Sequence, residues 1–435
     1  MKLWQKDIQE DQKDIQKKIE HFTIGSDQWW DMYLAKADII GSLAHAEMLE
    51  SIGLLTAQEL LDVQDGLQDI LKNIEKGTFV IEEGVEDIHS QIELTLTKNK
   101  GEVGKKIHSG RSRNDQSLVD IKLFLKQEIK DIAHKTHQLF TQLIVLSNQY
   151  KGDLLPGYTH FQLAMPSSFG LWFGAYAESL SDDLEVLLAS YKVINKNPLG
   201  SGAGYGSSFP LNRTKTTELM NFAGLNYNVV YAQMTRGKSE KITAMGLAAL
   251  AATLSKFSMD VCLYMNQNFG FISFPDVFTT GSSIMPHKKN PDVFELIRAK
   301  CNRIQALPNE LTLLMNNLPS GYHRDMQLTK ECLFPAIFEL KNCLEMAVLM
   351  LRNIIIKKDI LKDAKYANLF TVETVNQLVL AGMPFRDAYK KVGLEVEKGN
   401  YKAPSELSHT HEGSMGNLYN EAIEKEFLEK MKEFV

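Results

Sequence analysis

The chain has little that would point to a metal, a nucleotide or a membrane. Its 435 residues include four cysteines, Cys262, Cys301, Cys332 and Cys343. None forms a C-x-x-C pair, so zinc and dithiol spacings are missing and buried free thiols in a reducing compartment are expected. Basic residues are outnumbered: 48 Lys and Arg against 54 Asp and Glu give a net charge of −6. That balance speaks against a general nucleic-acid footprint. The most apolar run, ITAMGLAALAATL at 242–254, is too short for a membrane span and leads into Ser255 and Lys256. The N-terminal MKLWQKDIQEDQKD turns acidic where a signal peptide would turn apolar. A soluble cytoplasmic protein is therefore expected. His409 and His411 in SHTHEGS have no Cys or carboxylate set beside them, so no metal site is expected. A full GxxxxGK[ST] loop and a GxSxG elbow are also missing, which removes the usual nucleotide cradle and hydrolase serine.

Strand patterns are sparse too. Hydrophobic periodicity instead predicts helices over most of the chain. Residues 39–73 read as two helices broken near SIGLLT, with Thr56 as N-cap and Glu59 as its capping-box partner. Five long helices follow: 115–149, 166–194 entered through Pro166, 238–268, 291–317 kinked at Pro308, and 331–357. The third is apolar on nearly every face, which predicts burial among other helices and between subunits. The expected fold is all-α: a central bundle of five long helices over 111–358, flanked by smaller helical domains at 1–110 and 359–435. Strands do not alternate with helices, so a doubly wound α/β fold is not expected.

Polar clusters interrupt this pattern at or near predicted helix ends. IHSGRSRNDQ (107–116) stands before the first long helix and carries Ser112, Arg113 and Asn114. A helix N-terminus favours anions, and Arg adds bidentate carboxylate recognition. LPGYTHFQLAMP (155–166) supplies Thr159 and His160. NPLGSGAGYGSSFP (197–210) fits neither a dinucleotide fingerprint nor a Walker loop, and reads as a turn that lets backbones approach closely. GSSIMPHKKNP (281–291) looks like a loop built to hold an anion and move a proton. SGYHRDMQLTK (320–330) adds Tyr322, Arg324, Gln327 and Lys330. Together these groups suit a small polyanionic substrate and chemistry by proton transfer, with no cofactor.

GSSIMPHKKNP resembles the signature loop of the fumarase/aspartase superfamily, G-S-S-x-M-P-x-K-x-N-P, with every fixed position matched. SGRSRNDQ (109–116), GYTHFQLAMP (157–166), Tyr322-x-x-Asp325-x-Gln327-x-x-Lys330 and EDIHSQIE (86–93) resemble motifs of its argininosuccinate lyase branch. The resemblance spans roughly residues 20–335. It implies an anti elimination that converts argininosuccinate to arginine and fumarate without a cofactor.

The resemblance also implies roles. Ser282 matches the proton-abstracting residue, with Ser283 as the alternative. Lys288 and Asn290 match the positions that hold the aci-carboxylate intermediate. His160 matches the histidine that assists protonation of the leaving nitrogen, and Glu295 the carboxylate that orients it. Ser112, Arg113, Asn114 and Thr159 would hold the succinyl carboxylates. Tyr322, Gln327 and Lys330 would hold the arginine side, with His89 as a further substrate-side candidate. The resemblance implies a homotetramer whose sites each draw on three chains.

The pattern departs from the branch in places. His287 and Met165 each stand where Gln is usual, and MPHK is more usual in adenylosuccinate lyases, which makes that activity the alternative. A substrate-contacting Arg of the branch is replaced in MTRGKSEK by either Arg236 or Lys238, and Ser26 aligns only with a small insertion. A non-catalytic structural relative would not need Ser282, His160, Lys288, Asn290 and Glu295, which are all present.

Overall fold

The computed structural model of the chain describes residues 13–404 and 407–434, so the acidic stretch up to residue 12 lies outside the described residues. Helix dominates, as the periodicity predicts. The five long helices are Arg113–Gln149, Phe169–Ile194, Lys238–Met265, Asp292–Leu314 and Thr329–Leu351. The chain divides into two compact units. One holds the residues up to Ile132 with Val186–Ala248 and Ile304–Glu339; the other holds Ala133–Glu185, Ala249–Arg303 and the residues from Leu340.

In the first unit, helices Ala35–Ser51, Ala57–Glu75 and Ile88–Lys100 pack around Ile39, Leu49, Val63, Leu67, Ile92 and Leu96. The second of these begins as the sequence requires. Thr56 accepts from the Glu59 amide at 3.3 Å, and the Glu59 carboxylate accepts from the Thr56 amide at 2.9 Å. Gly66 lets this helix close on its neighbour, since a Cβ there would stand 2.5 Å from Leu96 Cδ1. Lys122 is wholly buried, its ammonium donating to Asn226 Oδ1 at 2.6 Å and to the Lys196 carbonyl at 3.1 Å.

In the second unit, an aromatic cluster of Trp172, Phe173, Tyr176 and Phe257 forms the packing centre. Its polar edges converge on Asp260, which accepts from Trp172 Nε1 at 3.1 Å and from the Tyr176 hydroxyl at 2.7 Å. Helix Asn420–Met431 docks by stacking Phe427 on Phe140.

Two expectations are corrected. The segment entered through Pro166 is not the start of a helix. An antiparallel hairpin, Leu154–Thr159 with Gln162–Ser168, precedes a helix that begins at Phe169. Pro156 stands opposite Pro166 in it, where missing N–H groups are tolerated because the hairpin has no further strand. Two of the four thiols, Cys262 and Cys332, are only partly buried, while Cys301 and Cys343 are buried as expected. Helix Lys238–Met265 is long and apolar enough, by length and composition, to cross a membrane. More than half of its apolar window, 56%, is buried inside the protein, as in the core helix of a helical fold.

Candidate active site

The turn ahead of the 113–149 helix is built by its own side chains. Ser112 is the N-cap: its carbonyl accepts from Gln116 N at 3.1 Å and its hydroxyl from Asn114 N at 3.2 Å. That places Arg113 and Asn114 in the first turn, lining a pocket of about 180 Å³. Every residue lining this pocket belongs to the first unit. The 320–330 segment supplies Tyr322, Arg324, Gln327 and Lys330, and the 88–100 helix supplies His89. Three sequence clusters spread over about 240 positions thus meet in one cavity. Six of the expected substrate-side residues line it: Arg113, Asn114, Tyr322, Gln327, Lys330 and His89.

The pocket carries both charges. Arg113 pairs with Glu86 at 3.2 Å and with Asp87 at 3.4 Å. Arg324 reaches Glu86 at 3.3 Å. Lys330, buried, pairs with Asp27 at 2.7 Å and also with Asp31. Gln327 donates to the Thr23 and Ile24 carbonyls at 3.0 and 3.1 Å, fixing the short helix Asp27–Asp31 against the 324–328 turn. Burial lifts the Asp27 carboxyl to about 6; the neighbouring Asp31 charge adds to this, and Lys330 opposes it. Such a mixture of acids and cations suits a ligand with both ammonium and carboxylate groups.

His89 forms part of the wall and is held from behind. Burial alone would lower its pKa. The Asp38 carboxylate hydrogen-bonded to Nδ1, with the charges of Asp87 and Asp31, reverses the sign and raises it. Asp120 lies 3.3 Å from the same nitrogen. Burial and the adjacent Asp38 charge push the Asp120 carboxyl well above the usual carboxylate range. Asp38, His89 and Asp120 bring three buried ligand-type atoms within 4.8 Å of one another. Gln116 and Ser42 already donate to Asp38, and the Arg111 charge acts on both carboxylates, which disfavours a cation there.

Arg236, not Lys238, lines the pocket. It is buried, pairs with Glu240 at 3.1 Å and donates from Nη2 to the Met326 carbonyl at 2.8 Å. Lys238 is exposed and lies over the Tyr231 ring at 5.1 Å. Ser26 donates to Glu331 at 2.7 Å and does not line the pocket. The acids Asp27 and Asp31 escaped the sequence reading. Glu86 and Asp87 stand inside the quoted EDIHSQIE, yet their side chains were given no role; carboxylates beside a candidate His were the available signal.

The expected catalytic residues lie in the second unit. Thr159 and His160 sit at the exposed end of the hairpin. His160 and Phe161 both have positive φ, 54° and 58°. A two-residue turn of that type usually carries Asn-Gly, so a His and a Phe here mark local backbone strain. The 281–291 loop is closed at its base, where Asn290 N donates to the Thr280 carbonyl at 2.9 Å. Within it, Ser282 Oγ accepts from the amides of Met285 at 3.1 Å and Ile284 at 3.3 Å. Ser283 and Lys288 are exposed, and Asn290 is half-buried. Glu295 is exposed on the first turn of the 292–314 helix. Among the described residues, no hydrogen bond or ion pair joins it to His160.

Known proteins, both sequence relatives and solved structures, are similar to this chain. A lyase family model matches residues 16–306. The chain is 60% identical over 422 residues to an argininosuccinate lyase of Bacteroides fragilis, covering 97% of this chain and 93% of that one. It is 37% identical over 391 residues to an argininosuccinate lyase of Thermotoga neapolitana, covering 90% and 97%. Among solved structures it is similar to an EDDS lyase in complex with formate, at TM-score 0.75, 20% identity and coverage of 95% and 90%. It is also similar to a class II fumarase from Schistosoma mansoni, at TM-score 0.72, 15% identity and coverage of 93% and 90%.

Proposed function

The chain belongs to the argininosuccinate lyase family of the fumarase/aspartase superfamily, and from that membership we propose how its own residues carry the reaction. The enzyme is a carbon–nitrogen lyase that eliminates fumarate from argininosuccinate and leaves arginine. The observation that carries the assignment of the pocket is the convergence there of Arg113, Asn114, Tyr322, Gln327 and Lys330. Paired acids and cations offer partners for the amino-acid end of the substrate, and Arg113 and Asn114 for the succinyl carboxylates, with Ser112 and Thr159.

Ser282 is the base. The carbon-bound proton beside a carboxylate is weakly acidic, so the serine must act as an alkoxide. Two amides directed at its oxygen favour that charge, which supports Ser282 over Ser283. Proton removal moves an electron pair into the carboxylate, giving an aci-acid that Lys288 and Asn290 hold. Collapse of that pair forms the carbon–carbon double bond of fumarate and breaks the carbon–nitrogen bond. His160, oriented by Glu295, assists protonation of the departing guanidino nitrogen. No cofactor takes part.

The working unit in this proposal is a cytoplasmic homotetramer in arginine biosynthesis, each site completed by segments of three chains. What supports it is that Ser283, Lys288, His160 and Glu295 are exposed in the single chain.

The test is fumarate release, followed by ultraviolet absorbance, with argininosuccinate or adenylosuccinate as substrate. Release from argininosuccinate alone is expected, and Ser282→Ala should lower kcat by at least about 10³-fold. Release from adenylosuccinate alone would make His287 the informative residue. Full activity in Ser282→Ala would overturn the choice of base.

A further inference from the structure

The glycine-rich stretch 197–210 has no part in the elimination as written. It belongs to the same unit as the pocket. Gly200, Gly202, Gly204 and Gly206 all have positive φ, at 84°, 59°, 108° and 80°. Alternating handedness of this kind turns successive N–H groups to one side and makes a nest for an anion. Here the anion is a side chain of the protein. Asp115 Oδ2 accepts from Gly200 N at 3.0 Å and from Gly202 N at 2.8 Å. Glycine is required at both positions. A Cβ on Gly200 would stand 2.8 Å from Arg213 Cγ, and one on Gly202 would stand 3.0 Å from the Gly206 carbonyl oxygen.

The other oxygen of the same carboxylate faces the pocket turn. Asp115 Oδ1 accepts from Ser112 N at 2.9 Å. This is the capping-box contact of the third helical residue back to the N-cap. In most capping boxes the second oxygen is left to water. In this one it is fully buried and reaches a loop some eighty-five residues away. The loop has a second tie: Gln233 Nε2 donates to Ser201 Oγ and to the Gly202 carbonyl, both at 3.1 Å. Three residues after Gln233 comes Arg236, in the pocket wall.

We propose that Asp115 is a positioning residue for substrate binding: its carboxylate locks the 198–206 loop to the turn that carries Arg113 and Asn114. The inference rests on the reading of that pocket as the argininosuccinate site. The glycine-rich loop is then a template, not an anion-binding site for a ligand. The charge has a stability cost, which argues for function. Burial pushes the carboxyl up to about 6, although the Ser112, Gly202 and Gly200 amides and the charge of Arg111 oppose it; Arg213 is the other cation that faces it. The folded chain therefore holds a proton here more tightly than the unfolded chain. Stability from this group falls as pH rises between about 4 and 6. A neutral residue would avoid that loss but would not hold three amides as well.

The experiment compares wild type with Asp115→Asn by steady-state kinetics on argininosuccinate and by amide hydrogen exchange of the 198–206 peptide. The expected result is a KM raised at least about tenfold, a kcat changed less than about threefold, and faster exchange confined to that loop. Unchanged KM with unchanged loop exchange overturns the proposal. So does a fall in kcat with slower folding and no loop-specific change, which is the mark of a merely structural residue. If the variant does not fold, wild type serves. Loop exchange, corrected for its intrinsic pH dependence, and KM should both rise as pH falls through about 6; flat values between pH 7.5 and 5 sink the idea. Failure of wild type to release fumarate from argininosuccinate would instead count against the functional reading, and the loop exchange would still judge the clamp.

Discussion

Arg236 and Lys238 stand two residues apart and meet opposite surroundings. Arg236 is enclosed by Glu240 and the Met326 carbonyl at the pocket wall, while Lys238 points to solvent over Tyr231. Arg236→Lys keeps the charge and loses the planar fork, so kcat/KM should fall by about 10²-fold. Lys238→Ala should stay within about twofold. Fumarate release read for the two variants side by side checks this. Two buried histidines have opposite pH behaviour. Burial and the Arg111 charge push His45 down to about 3, and its Nε2 donates to the Ser109 carbonyl at 2.9 Å. Its stability contribution is present above about 6.5 and is lost as pH falls toward 3. His89, raised by Asp38 against the pull of burial, contributes below about 6.5 and loses that contribution as pH rises through its higher folded value. Urea denaturation at a series of pH values should show a shallower acid limb in His45→Gln than in wild type.

At the scale of elements, the capping box at Thr56 was legible and the hairpin was not. Thr56 and Glu59 form the capping box that their spacing predicts. Thr56→Ala should cost about 1 kcal/mol, read as a lower midpoint in thermal unfolding with unchanged KM. The 113–149 helix begins two residues before the expected Asp115, because Ser112, not a residue nearer the apolar run, is its N-cap. The hairpin at 154–168 escaped because LLPGYT and QLAMPSS show no clean alternation and both contain proline. Its pairing rests on contact between two segments that are each ambiguous alone. The strained φ of His160 was likewise invisible in the sequence, since a lone histidine carries no mark of its backbone conformation.

At the scale of the whole molecule, the long helices leave apolar side chains uncovered. Met245 and Met259 on the 238–265 helix are exposed, as are Leu296 on the 292–314 helix and Leu349 on the 329–351 helix. Such positions fit the proposed association of copies. Sedimentation should give a tetramer for wild type. A Met259→Glu, Leu349→Glu double variant should dissociate and lose fumarate release, with its far-ultraviolet circular dichroism retained. A tetramer that persists with full activity would remove these faces from the interface.

The sequence alone determined the fold class, because amphipathic period and caps are local properties of consecutive residues. It also determined the family, because GSSIMPHKKNP and SGRSRNDQ are contiguous strings whose chemistry is read in order. Tertiary structure decided the rest. That Arg236 and not Lys238 faces the pocket depends on packing against Met326, ninety positions along the chain. That Asp27 and Asp31 neutralise Lys330 depends on a contact spanning some three hundred. That Asp115 fills the glycine nest depends on a loop arriving from residue 200. Charge pairing and burial act through space, and no local pattern in the chain records which distant groups will be brought within a few ångströms.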